Sequence, residues 1–186
     1  MLRQLEIMSL GQFLKGGGEK KMTFSSEEIE IFTDGSCYGT VGPGGWAALI
    51  ISGNKKLEIS GRENKTTNNR MEMLAVIKGL SILKKRSNIK VYTDSGFIVD
   101  VIEKKIINRW RTNGWRASGK KRVANKDLWQ KIIPLCKYHN IKFHHVKSHS
   151  GHTFNERCDQ SAKAEAIKLK REYELEIQRG EVNANV

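Results

Sequence analysis

Nothing in the 186 residues runs apolar for the roughly 18 positions that a membrane-spanning helix requires, so no membrane partner is expected. The N-terminus, MLRQLEIMSLGQFLKGGGEKK, lacks the continuous apolar core and small-residue cleavage pattern of a secretory signal. Cysteine is scarce: Cys37, Cys136 and Cys158 are odd in number and form no C-x-x-C pair. That argues against a disulfide framework and for a reducing compartment, expected to be the cytoplasm. Acids are outnumbered too, 20 Asp and Glu against 33 Lys and Arg, a net charge of +13. Solubility does not call for such an excess, and a polyanionic partner is its commonest reason. Internal repeats are absent, and the one low-complexity tract is Gly16-Gly17-Gly18.

The positive charge is concentrated. From Lys104 to Lys126 the chain reads KKIINRWRTNGWRASGKKRVANK, nine basic residues without an acid, with Trp110 and Trp115 among them. Such basic groups neutralise phosphates, while exposed aromatic rings lie against sugars or bases. The plainer reading is a solvated loop holding two core tryptophans.

A chain of this length suits one domain with appendages. Residues 1–27 read as a flexible N-terminal extension, 28–168 as the compact domain, and 169–186 as a helix end and tail. The runs IEIFT, GWAALIIS (45–52) and KLEISGRE (57–63) read as an antiparallel meander, with a Gly53-Asn54 hairpin turn. Met73, Val76, Ile77, Leu80 and Leu83 recur at helical spacing over 68–85. The strand IKVYT, helical DSGFIVDVIEKK, a helix over 127–139 bent or bounded at Pro134, the strand NIKFHHVK (140–147) and a long helix from about Asn155 follow. This order predicts an α/β fold with a mixed sheet, IEIFT and IKVYT lying parallel.

Both of those strands finish in Thr-Asp followed by a small residue: IFTDGS at Asp34 and VYTDS at Asp94. Sites in open α/β sheets form beyond the carboxyl ends of parallel strands. Glu72, early in the helix after the meander, and Asp159, inside NERCD, are candidates to join them. Each acid has an ordinary explanation. Asp34-Gly35 fits a turn, and Glu72 with Asn69 has capping-box spacing. Asp94 fits a helix cap, and Asp159 a helix-dipole position. If all four converge they repel, and divalent cations with hard oxygen ligands, Mg²⁺ or Mn²⁺ over zinc, relieve the repulsion.

The stretches FTDGSCYGTVGPGGWA, TTNNRMEM, VYTDS, NKDLWQKI and VKSHSGHTFNERCDQSA resemble type 1 ribonuclease H of the bacterial kind, from about Ile29 to Ala166. The resemblance implies a ribonuclease H-like fold: a five-stranded mixed sheet, three antiparallel strands plus two parallel, flanked by helices. It implies cleavage of the RNA strand of RNA–DNA hybrids, leaving 5′-phosphate and 3′-hydroxyl ends. Asp34, Glu72, Asp94 and Asp159 then hold two Mg²⁺ ions, with Mn²⁺ able to substitute. His149 matches a loop histidine that assists proton transfer or product release. Thr67 matches a DNA-phosphate pocket, and Asn68 and Asn69 match minor-groove contacts. The basic segment resembles a protrusion that grips the DNA strand, through Arg109, Trp110, Arg111, Trp115, Arg116, Lys120, Lys121 and Arg122. Two positions depart from the pattern: Thr40-Val41 replaces a frequent Asn-Pro, and Gly96 a frequent glutamine.

Rival readings predict different sequences. A non-catalytic binder of hybrid or double-stranded RNA needs the basic segment without intact acids. A resolvase or integrase core would share clustered acids but not TTNNRME. Structural zinc fits poorly, since His144, His145, His149 and His152 with Cys136 and Cys158 match no finger or ribbon spacing. A metal-free, two-histidine ribonuclease leaves the acids unused. The expected protein is a monomer, free-standing rather than part of a reverse transcriptase, with no obligate protein partner.

Overall fold

The computed structural model describes residues 7–9, 28–147 and 152–179. Its centre is the expected meander. Strand β2 (Ile29–Cys37) pairs antiparallel with β3 (Gly42–Ser52), which pairs antiparallel with β4 (Lys55–Thr66). Strands β5 (Asn88–Thr93) and β6 (Asn140–His145) extend the sheet in parallel on the far side of β2. The expected five-stranded arrangement is present, and a short strand β1 (Ile7–Ser9) pairs parallel with β4. The order is therefore β1-β4-β3-β2-β5-β6. Three residues of the expected extension thus close part of an edge whose N–H and C=O groups would otherwise need solvent.

Period-2 alternation divides the apolar residues between two faces. Ile29, Ile31, Ala48, Ile50, Leu57 and Ile59 face the larger core. There they meet α1 (Asn68–Ser81), which buries Met71, Met73, Val76, Ile77 and Leu80. Phe32, Ala47, Leu49 and Ile51 face the opposite layer, where α5 (Thr153–Gln178) supplies Cys158 and Ala162. The α1 hydrogen bonding stops at Ser81, short of the expected Lys85. Leu83 keeps its buried place through a turn, its N–H bonding to Leu80, while Lys84, Lys85 and Arg86 lead out to solvent.

Helix α2 (Gly96–Glu103) follows β5, and the basic segment then folds rather than looping freely. Lys105, in the left-handed region at φ 53°, redirects the chain into α3 (Ile106–Thr112). A 3-10 turn at Ser118–Lys120 and a bridge between Arg116 and Arg122 complete the excursion. Helix α4 (Lys126–Tyr138) contains Pro134 without ending there. Pro134 lies on the exposed face, where water can satisfy the carbonyl that loses its donor.

Candidate active site

Strand register settles the first pair of acids. Thr33 pairs with Thr93 across β2 and β5, so Asp34 and Asp94 are the next residues on neighbouring parallel strands. Strands in a sheet stand about 4.8 Å apart, which puts both carboxylates at one edge. Asp34 is only 5% exposed, and one of its oxygens accepts a 2.6 Å bond from the Gly35 N–H.

Gly35 brings the third acid in. It lies inside β2 rather than in a turn, and a Cβ there would overlap the backbone of Met71 and Glu72. Only a residue without a side chain lets the first turns of α1 rest on the strand, with Glu72 at the contact. The Glu72 carboxylate accepts a 2.6 Å bond from Asn68 Nδ2 and a further bond from the Ser95 hydroxyl. The capping-box alternative does not hold: Thr67 is the N-cap, its hydroxyl accepting from Arg70 N–H. Nor does Asp94 cap α2, whose cap position is Ser95. Asp159 lies well past the first turn of α5, beyond the reach of the helix-dipole explanation, and pairs with Lys163 at 2.7 Å.

The electrostatics show that the four groups converge. The Asp34 carboxyl is pushed up to about 8, first by burial and then by Asp94. The Gly35 N–H opposes that rise, while Asp159 and Glu72 add to it. Glu72 is raised by burial and by Asp94, against the bonds from Ser95 and Asn68. Four acids, one within β2, which runs on past the expected end, one just past β5 and one on each of two helices, therefore share one electrostatic neighbourhood, with Asp34 at its centre. Among the described residues no three His, Cys, Asp or Glu side chains already form a cage for an ion. Glu72 and Asp159 are engaged by Asn68, Ser95 and Lys163, and a cation would have to compete with those partners.

The remaining predicted residues divide. Asn68 and Asn69 are exposed at the start of α1, next to Thr67. Arg109, Arg111, Arg116, Lys121 and Arg122 are exposed on the folded excursion, and Lys120 lies in its 3-10 turn. Trp110 is a correction: expected against nucleic acid, it is 6% exposed and meets Trp129 edge-on at 5.9 Å. The α3 helix turns that ring inward because burial of a large aromatic outweighs its exposure. Trp115 is half-buried, with Lys126 Nζ 5.7 Å from its ring centre. His149 lies outside the described residues.

Three positioning features were not read from the sequence. Ser95, 5% exposed, joins Glu72 to the end of β5, and the quoted TDS was its only signal. Arg70 makes a two-pronged bridge to Asp127, at 3.1 and 2.8 Å, and a 3.3 Å bond to Asn125. This ties the start of α1 to α4. Thirdly, the His145 ring nitrogen Nε2 lies 3.1 Å from the Asp94 carbonyl. The zinc reading gains no support: Cys158 is buried with its thiol on the Phe32 carbonyl, and burial raises both its proton affinity and that of Cys136.

Residues 26–167 match the family model described as RNase H. Ribonuclease H of Nitratidesulfovibrio vulgaris (strain Miyazaki F) is 49% identical over 140 residues, 75% of this chain and 90% of the relative. Ribonuclease H of Chlorobium chlorochromatii is 47% identical over 142 residues, 76% and 97% of the two chains. Among solved structures, LC9-RNase H1, a type 1 RNase H with the type 2 active-site motif, is similar with a TM-score of 0.69. Its identity is 26%, over 79% of this chain and 75% of that one. LC11-RNase H1, solved in complex with RNA/DNA hybrid, shares the fold with a TM-score of 0.56 and 23% identity, over 75% and 97% of the chains.

Proposed function

The chain belongs to the RNase H family, and from that premise we propose that it hydrolyses the RNA strand of RNA–DNA hybrids where Asp34, Glu72, Asp94 and Asp159 meet. The observation that carries this is geometric: Asp34 and Asp94 follow paired threonines on neighbouring parallel strands, and the helix bearing Glu72 rests on Gly35, with burial and the other three acids raising the Asp34 carboxyl. Such crowding is unfavourable unless positive charge relieves it. An all-oxygen donor set fits hard divalent cations, Mg²⁺ above all, with Mn²⁺ able to substitute. Bound by these four acids, a pair of cations supplies Lewis acidity toward a water and toward the departing ribose 3′-oxygen.

The chain's own residues do the positioning. Asn68 and Ser95 hold the Glu72 carboxylate until a cation competes for it. The β2–β5 register, which makes Asp34 and Asp94 the next residues after paired threonines, supports a shared role for the two acids. The exposure of Asn68 and Asn69 near Glu72 supports their reading as minor-groove contacts, and Thr67 beside them would meet a DNA phosphate. The 2′-hydroxyl serves as the mark of RNA rather than the nucleophile, so products carry 5′-phosphate and 3′-hydroxyl ends. The exposed basic residues on and after α3 neutralise the phosphates of the partner strand. His149 would assist proton transfer or product release. LC11-RNase H1, crystallised on an RNA/DNA hybrid, supports the substrate by likeness of fold.

No helix among the described residues is long and apolar enough to cross a membrane, and the reading places a monomer in the cytoplasm. The test incubates labelled RNA–DNA hybrid, duplex DNA and duplex RNA with the protein, with Mg²⁺ and with EDTA. Cleavage confined to the RNA of the hybrid, and abolished by chelation, is expected. Binding without cleavage would favour the non-catalytic alternative.

A further inference from the structure

We propose that His145 is the positioning residue of Asp94, and that a side chain longer than alanine at position 96 would compete with the His145 ring. This rests on the reading of Asp94 as a metal-binding acid. Strand β6 ends at His145, which pairs with Thr93, the residue before Asp94. The Val146 N–H continues the ladder by bonding to the Thr93 carbonyl at 3.0 Å. Among the described residues the β5–β6 pairing ends there, and the next residue of β5's chain carries the carboxylate.

The His145 imidazole extends the support by one residue. Its Nε2 stands 3.1 Å from the Asp94 carbonyl oxygen, which can only accept, so Nε2 carries the proton. The same oxygen accepts from the Gly96 N–H at 3.0 Å. Two donors therefore hold the peptide plane that follows Asp94, and with it the backbone from which its side chain projects. A Cβ on Gly96 would lie 3.5 Å from His145 Nε2 and 3.7 Å from Cε1. Alanine would fit at ordinary contact, but the outer atoms of a longer side chain would compete with the ring for one space. The glycine at the position where the sequence departs from its family is thus paired with a histidine on the next strand.

The test uses the full chain and four variants: His145→Ala, His145→Phe, His145→Gln and Gly96→Gln. Mg²⁺ affinity is read by calorimetry, kcat and KM on hybrid by steady-state cleavage, and folding by thermal melts. Losing one neutral hydrogen bond should weaken Mg²⁺ binding about five-fold and lower kcat similarly in the Ala and Phe variants, with KM unchanged. The Gln variant, whose amide can donate, should recover both. Gly96→Gln should reduce Mg²⁺ affinity in the parent but not in a His145→Ala background. A Phe variant equal to the parent would overturn the proposal, as would an Ala variant that loses only KM. An equal effect of Gly96→Gln in both backgrounds would do the same. If the parent failed to cleave hybrid, the proposed function would fall while calorimetry still read the coupling of His145 to Asp94.

Discussion

Gly35 and Glu72 are in direct backbone contact: the strand and the helix meet so closely that a methyl group on residue 35 would occupy the place of the residue-72 nitrogen. Two acids from distant parts of the chain are brought together by the lack of a side chain between them. Gly35→Ala should therefore push α1 away from β2. Overpacking of this kind costs about 1–3 kcal/mol and should be read as a lower urea midpoint. Cleavage should fall further than stability does, because Glu72 moves with the helix. An Ala variant with parental activity would refute the arrangement.

Asp34→Asn should remove cleavage while leaving hybrid binding in place, measured by gel assay and by fluorescence anisotropy. On the proposed four-acid reading, loss of this charge should lower kcat by about a hundred- to a thousand-fold, the scale on which single electrostatic groups act in hydrolysis. Normal cleavage by this variant in Mg²⁺ would end the four-acid assignment.

The same carboxyl gives the metal-free protein a distinctive pH dependence. Its affinity for a proton is higher folded than unfolded, since folding buries it beside three acids. The folded state binds more protons between about pH 4 and the folded value of about 8, so stability falls as pH rises through that window. In EDTA the melting temperature should therefore drop from pH 5 to pH 8. Asp34→Asn should flatten the slope and raise the melting temperature at pH 8 above that of the parent. Adding Mg²⁺ at pH 8 should raise the parent's melting temperature and leave the variant's nearly unchanged.

Trp110 and Arg111 are neighbours with opposite assignments. Trp110→Ala should destabilise by about 3–5 kcal/mol in chemical denaturation, because it empties a buried site against Trp129. Arg111→Ala, at an exposed position, should leave the melting temperature alone and weaken hybrid binding. The slope of log affinity against log salt should then fall by roughly 0.7–0.9, the signature of one lost phosphate contact. A reversed pattern would return Trp110 to the nucleic-acid surface.

Arg70 and Asp127 join α1 to α4 through two parallel hydrogen bonds, and the guanidinium holds the Asp127 carboxyl below its usual range. Both side chains are partly exposed, 31% and 55%, so the bridge is worth no more than about 1 kcal/mol. Arg70→Lys, which keeps the charge but not the fork, should lose most of that in a denaturation curve.

Much of this protein was legible in the order of its residues. Alternation of apolar residues in IEIFT and GWAALIIS sets the two faces of the sheet, because a strand's side chains point opposite ways in turn. A helix between the meander and IKVYT makes the Thr-Asp strands parallel, since a crossover returns the chain in the same direction. The excess of Lys and Arg over acids, gathered around α3, already pointed to a polyanion. Proximity was what no spacing could supply. That Gly35 is a packing surface for Glu72, that Trp110 turns inward, and that His145 reaches the carbonyl of Asp94 depend on residues about 20 to 50 positions apart. Such contacts are decided by how whole elements fill space against one another, so only the packed fold determines them.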